Sequence, residues 1–266
     1  MSESFRLVDD LFELPSQGYA YDSEKIKLVN QTAVKIRPFV TADQRRLASV
    51  AGESGYKVNI HLWNHLVTQP SEKECNVFDL LTSDLIAALF CVKLRSFGSK
   101  FETSFKCSAC SMVQNVVLNL TDLQVKYAAT PEEVVADGLE YKAGDNTYTM
   151  HLPRISDSRE VEFELKRLKA KGKIIDEQTD RFYLHTAQLI DAINGEHTPL
   201  ERRFEHLMNQ PLEVIDDIGE FLSENDFGVD DRMPVVCKNK ECRWENNARV
   251  AMDAHFFRPT SLRGSN

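Results

Sequence analysis

The sequence predicts an α+β fold in which two cysteine-tipped hairpins, far apart along the chain, form a β module, with helical regions before and between them. Three observations predict it. The pairs Cys107/Cys110 and Cys237/Cys242 each sit between strand-like runs. Several segments carry apolar residues at helical spacing, bounded by capping residues, proline or glycine. Other segments alternate apolar and polar residues, as half-buried strands do.

At 266 residues the chain is long enough for one large or two modest cores. Its hydrophobic content of 42% and charged content of 27% are those of a globular protein. No apolar run has the length of a membrane span, so no membrane partner is expected. The polar start Met1-Ser2-Glu3-Ser4 does not read as a secretory signal, and a reducing cytoplasm is the expected setting. The net charge of −9 counts against binding nucleic acid through its phosphates. The basic run Lys166 to Lys171 reads best as the solvated side of a helix.

The elements follow in order. Phe5, Leu7, Leu11, Phe12 and Leu14 look extended and stop at Pro15-Ser16-Gln17-Gly18. A strand is expected over 32–38, where Val34 and Ile36 alternate with Lys35 and Arg37. Thr41 and Gln44 form a capping box before Leu47 and Val50. A helical stripe through Leu62, Trp63, Leu66 and Val67 should stop near Pro70. The next helix runs from a cap at Ser83 through Val92 to a stop at Gly98. Strands 101–105 and 116–120 flank the first cysteine pair. Thr130-Pro131-Glu132-Glu133 opens a short helix. A hairpin over 139–141 and 147–152 turns at Gly144-Asp145. Helices are expected at about 157–171, 177–194, 199–209 and 211–225, with Gly172 and Gly195 as stops. Strands 234–236 and 249–257 flank the second cysteine pair. These boundaries predict an N-terminal region (1–100), a split module (101–120 with 234–260) and a helical insertion carrying one hairpin (121–233).

The chain has six cysteines, and in a reducing compartment close pairs read as metal ligands or redox groups rather than disulfides. Cys75 and Cys91 stand alone, and Cys91 lies in an apolar run where an inert buried thiol is expected. The other four have the spacing of zinc ligands: two residues within one pair and four within the other. Two such knuckles facing each other make a zinc-ribbon-like module, so Cys107, Cys110, Cys237 and Cys242 are expected to hold one structural zinc ion. The 126 residues between Cys110 and Cys237 are unusual. Closing that gap costs about 4 kcal/mol, against about 10–16 kcal/mol of apparent binding energy for structural zinc in finger peptides. Four protein ligands leave no open position for water, which points to a structural metal and no catalysis.

Other candidates carry less. His61 and His65 are four apart on a helix but lack the glutamate of a metalloprotease helix. His151, His185, His197, His206 and His255 have no catalytic companions in sequence. Asp216, Asp217, Glu220, Glu224, Asp226, Asp230 and Asp231 read as a solvated acidic face without a calcium-loop pattern. No phosphate loop, dinucleotide fingerprint or nucleophile elbow is present. Leu14 to Tyr21 reads as a turn with aromatic anchors, either a plain surface loop or a docking loop presenting Tyr19 and Tyr21, because tyrosines give large contact area at low entropic cost.

Several of these features together resemble the baseplate proteins of T4-like, contractile-tailed bacteriophages, including their hub subunits and hub assembly proteins. The likeness rests on Leu14-Pro15-Ser16-Gln17-Gly18-Tyr19 with Tyr21, and on Ile36-Arg37-Pro38-Phe39 before a helix entered at Thr41. It continues in Phe105-Lys106-Cys107-Ser108-Ala109-Cys110 leading into 116–120, and in the late knuckle whose outgoing run ends Asp253-Ala254-His255-Phe256-Phe257. The resemblance implies a non-enzymatic structural or assembly protein of the central hub, with other baseplate and hub proteins as partners. It places the chain in the virion tail baseplate or in the host cytoplasm during assembly. Two other readings stay open. A nucleic-acid-binding zinc ribbon, such as a transcription accessory factor, would use Lys238, Lys240, Arg243 and Trp244. A thiol–disulfide enzyme would use Cys107 and Cys110.

Overall fold

A computed structural model describes residues 2–23, 26, 28–50, 55–68, 76–250, 252 and 256–257. The expected helix stop at Pro70, the lone Cys75 and the run Asp253-Ala254-His255 lie outside the described residues. The fold mixes helix and sheet. Among the described residues, every strand pairing is antiparallel.

The chain opens with Ser2–Glu3 (β1), Leu7–Val8 (β2), Leu11–Glu13 (β3) and Ala33–Ile36 (β4). Two helices follow, Thr41–Val50 (α1) and Gly55–Leu66 (α2), the second running straight into Val67–Thr68 (β5). Strands β2 to β5 form one sheet in sequence order. The start of α1 differs from the expected box. Thr41 already lies inside the helix, and the N3 carboxylate of Asp43 accepts from the Val40 N–H at 2.9 Å while the Arg37 guanidinium grips both of its oxygens.

Thr82–Phe97 (α3) is buried on most of its surface: Leu85 and residues 87–92 are all inside. A helix that is apolar nearly all round belongs in a core. Ser83 does not cap it, since Leu81 is the residue before its first turn and Ser83 turns to Asp226. Gly98, at φ 77°, ends it as expected.

Lys100–Lys106 (β6) and Val113–Asn119 (β7) pair along their full length. After Val125–Lys126 (β8), the short helix expected at 131 is a single 3-10 turn, Pro131–Glu133. The hairpin Asp137–Ala143 (β9) and Asn146–His151 (β10) closes over Gly144-Asp145 as predicted. Ile155–Ala170 (α4) and Glu177–Gln188 (α5) come next. The helix expected to continue to 194 stops at Gln188 instead. Ile190–Ile193 (β11) pairs with β10, and Asn194-Gly195, at φ 53° and 79°, turns the chain into Glu196–His197 (β12). Gly195 is therefore a hairpin turn residue, in the Asn-Gly pattern that favours tight antiparallel turns. Leu200–Met208 (α6), Leu212–Asn225 (α7) and Gly228–Val229 (β13) lead to the last hairpin, Arg232–Val236 (β14) with Glu245–Arg249 (β15). The outgoing strand is thus earlier than the expected 249–257, because its pairing is fixed by the register Val236↔Glu245 next to the knuckle.

The buried side chains fall into two clusters. One joins β3–β5 and α2–α3 to the undersides of both cysteine hairpins through Phe101, Leu118, Met233 and Ala248. Phe256 seals it, edge-on to Phe90 at 5.1 Å between ring centroids. The other lies within β9–β11 and α4–α7. Ser83 Oγ, donating to Asp226 Oδ1 at 2.9 Å, is one joint between them, and the β1–β8–β13 sheet is another.

Candidate metal centre

Both knuckles are made the same way. Cys107 directly follows β6, and its N–H donates to the Met112 carbonyl at 3.0 Å. Cys237 directly follows β14, and its N–H donates to the Trp244 carbonyl at 2.9 Å. Ser111 and Arg243 each take a positive φ, 59° and 49°, to turn the chain back into the outgoing strand.

The fold brings all four cysteines expected from the sequence together. Their sulfurs lie within 4.8 Å of one another. The short separations cross between hairpins: Cys107 to Cys242 is 3.8 Å, and Cys110 to Cys237 is 3.7 Å. A disulfide needs about 2.05 Å, so these are free thiols. Cys107 and Cys237 are buried, Cys110 is exposed and Cys242 lies between. Four sulfurs at this spacing can hold a metal ion.

The thiols differ in acidity. The backbone N–H of Cys110 leads the groups that hold Cys107 down at about 6, with the Ala109 N–H and the Asn246 side chain assisting. At Cys242 the Trp244 N–H favours the thiolate, but burial and the other three sulfurs outweigh it and push the group up to about 11. Burial is the larger of the raising causes, and the neighbouring sulfurs add to it by favouring the protonated thiol that can share its hydrogen.

Two carboxamides back the sulfurs. Gln114, buried on β7, donates from Nε2 to Cys237 Sγ at 2.8 Å, and its Oε1 accepts from the Lys238 N–H at 2.6 Å. Asn246 on β15 donates from Nδ2 to Cys107 Sγ at 3.6 Å and to the Trp244 carbonyl at 2.9 Å. Its Oδ1 accepts from the Ser108 N–H at 2.9 Å and from Ser108 Oγ at 3.1 Å. The sequence signal that finds these amides is a shared offset: each lies four residues after the second cysteine of its own pair.

The remaining candidates resolve differently. Cys91 is buried in α3, and burial alone pushes its thiol well up. His61 and His65 both lie on α2. His151 has companions that no local pattern announced: Nδ1 meets Asp191 Oδ1 at 2.8 Å and Nε2 meets Asp157 Oδ1 at 3.3 Å. Burial works against its charge, yet bonds to Asp157 and Asp191 prevail and raise it to about 9. The result is an ion cluster tying β10, α4 and β11 together. In the basic run at the end of α4, Arg167 and Lys171 pair with Glu201 and Lys169 pairs with Glu177. Of the acidic stretch, Asp216, Asp217, Glu220 and Glu224 on α7 and Asp230 beyond it are exposed, as a solvated face should be, whereas Asp226 is half-buried against Ser83 and Asp231 is half-buried against Arg249. Lys238 reaches back to the Asn115 carbonyl, and Trp244 is exposed.

Tyr21 is an internal anchor rather than a docking residue. Its hydroxyl donates to Asp84 Oδ2 at 2.5 Å and accepts from the Leu81 N–H at 3.0 Å. Ser16 adds two donors to the same carboxylate, from its N–H at 3.0 Å and its Oγ at 2.5 Å. Gly18 between them has φ 73°, and a Cβ there would collide with the Gln31 carbonyl. Serine, glycine and tyrosine in this turn are thus dictated by the fold, while Tyr19 remains exposed.

No helix among the described residues is long and apolar enough to cross a membrane. A family model described as T4 bacteriophage base plate protein matches residues 19–258. No curated protein and no solved structure matches the chain.

Proposed function

The chain belongs to the T4 bacteriophage base plate protein family, and from that premise we propose that it serves the central hub, as a subunit or assembly factor, without catalysing a reaction. Its partners on this reading are other baseplate and hub proteins, met in the tail baseplate or in the host cytoplasm during assembly.

One structural zinc ion, held by Cys107, Cys110, Cys237 and Cys242, completes the reading. The observation that carries it is the sulfur geometry. Tetrahedral zinc with bonds of about 2.3 Å sets its sulfurs about 3.8 Å apart, and the two crossed separations are 3.8 and 3.7 Å. All four positions would be filled by protein, so the ion would pin hairpins rather than activate water. The hairpins at 101–120 and 234–260 then act as one zinc-ribbon-like platform, with residues 1–100 packed beneath it and 121–233 inserted between its halves.

Metal analysis of protein purified without chelator tests the site. About one zinc per chain is expected, and a folded, stable protein free of metal would remove the ion from the reading. Affinity capture of the tagged chain from infected cells tests the role. Recovery of other tail baseplate proteins in stoichiometric amounts supports it, and a chain recovered alone throughout infection opposes it.

A further inference from the structure

We infer that Gln114 and Asn246 are a reciprocal pair of positioning residues: each carboxamide, carried on one hairpin, clasps the first cysteine of the other hairpin and so docks the two knuckles before any ion binds. The inference rests on the metal-centre reading for what the docked sulfurs receive.

The correspondence between the hairpins is position by position. Counting from the second cysteine of each pair, the next residue is Ser111 or Arg243, and both have positive φ. The residue after that is Met112 or Trp244, whose carbonyl accepts from the first cysteine's own N–H. Two further on is Gln114 or Asn246. There the pattern crosses over. Gln114 bonds the sulfur of Cys237 and the N–H of Lys238. Asn246 bonds the sulfur of Cys107 and the N–H of Ser108. Each amide thus uses its donor on the opposite first cysteine and its acceptor on the residue that follows it. The site has an approximate two-fold symmetry that the extra two residues of the second knuckle do not disturb.

This arrangement has a physical consequence. Both cysteines so held are the buried ones. A donor to a thiolate stabilises its charge, and an acceptor on the next N–H fixes the knuckle backbone. Apart from the Asn246 bond to the Trp244 carbonyl of its own hairpin, these bonds join residues of different hairpins and so form only when the two meet. Outer-shell partners of this kind are worth about 10–100-fold in metal affinity.

The test uses the full chain with Gln114→Leu and Asn246→Leu made singly, and Asn246→Gln as the conservative variant that keeps a carboxamide. Zinc affinity is read by competition with a chromogenic chelator. Cysteine exposure is read by iodoacetamide alkylation of the chelator-stripped protein, mapped by peptide mass spectrometry. Each leucine variant should lose about 10–100-fold in zinc affinity, and Asn246→Gln should recover most of it. Alkylation should cross over: Gln114→Leu accelerates modification of Cys237 above that of Cys107, and Asn246→Leu does the reverse. Wild-type zinc affinity in both leucine variants, or faster alkylation without the crossing, overturns the inference. A wild-type chain that takes up no zinc sinks the metal-centre reading instead, and the alkylation pattern alone then decides the clasp.

Discussion

Phe101 and Leu118 of one cysteine hairpin share a core with Met233 and Ala248 of the other, although the intervening insertion separates them in the chain. In the second core the partners are neighbours. Apart from Leu81, its buried members run from Leu139 to Leu222, and the strands and helices that supply them follow one another in the chain. The first core must close a long loop to bring its two hairpins together, while the second closes within one stretch of chain, since closure entropy grows with the length of chain enclosed. The fasteners follow that division. The four sulfurs and the two amides all sit where remote hairpins meet. The second core has its own polar cluster at His151, but one whose members lie within the same stretch of chain. On the metal-centre reading, the cross-link sits where sequence distance makes association expensive.

The largest effect that can break this comparison comes from removing one sulfur. Cys237→Ser is expected to abolish stoichiometric zinc and with it most of a metal term that reaches about 10–16 kcal/mol in finger peptides. Hydrogen exchange should rise sharply across β6, β7, β14 and β15 and stay near wild type in α5 to α7. Uniform loss of protection through both cores would show that the division is not physical.

A smaller effect in the opposite half sharpens the same point. Leu184 on α5 is fully buried in the second core, and Leu184→Ala should cost about 2–5 kcal/mol through lost burial and the cavity left behind. Chemical denaturation should register the loss, while zinc content stays at the wild-type value. A drop in zinc content would mean that the hairpins depend on the insertion for their docking.

The same division explains what the sequence could announce. The cysteine pairs were legible because ligand spacing and knuckle turns are local, and Gly144-Asp145 announced its hairpin for the same reason. Ile190 reads as helix in the sequence because Leu184, Ala187 and Ile190 keep helical spacing. What overrides that spacing is pairing with β10, a partner 40 residues back, and only Asn194-Gly195 marked the turn locally. Tyr21 looked like a docking residue because nothing nearby in sequence reveals Asp84, the buried carboxylate that claims its hydroxyl. His151 has no companion in the local sequence for the same reason, as Asp191 is brought to it by β11, whose residues carry helical spacing. The clustering of the four cysteines was readable from their spacing, whereas the crossed bonds of the two amides needed the structure, because each acts on the hairpin that does not carry it.

The joint between the two cores gives the smallest and most specific prediction. Asp226, just after α7, accepts through Oδ1 from Ser83 Oγ at 2.9 Å and from the Phe227 N–H at 2.8 Å. Burial raises its carboxyl from 3.8 to about 6. The folded chain therefore keeps a proton that the unfolded chain has already released between those values, so stability falls as pH rises from about 4 to about 6. Above that window the charged group weakens the fold by up to about 3 kcal/mol. Asp226→Asn keeps the accepting oxygen for both donors and cannot ionise. The variant should match wild type near pH 4 and exceed it near pH 7, with a flatter profile between. Urea denaturation across that range checks it, and parallel profiles for the two proteins would show that Asp226 does not titrate at the joint. Because this carboxylate reaches α3 from the end of α7, the added stability should appear as slower exchange on both sides of the joint. Slower exchange on one side only would mean that the two cores open independently there.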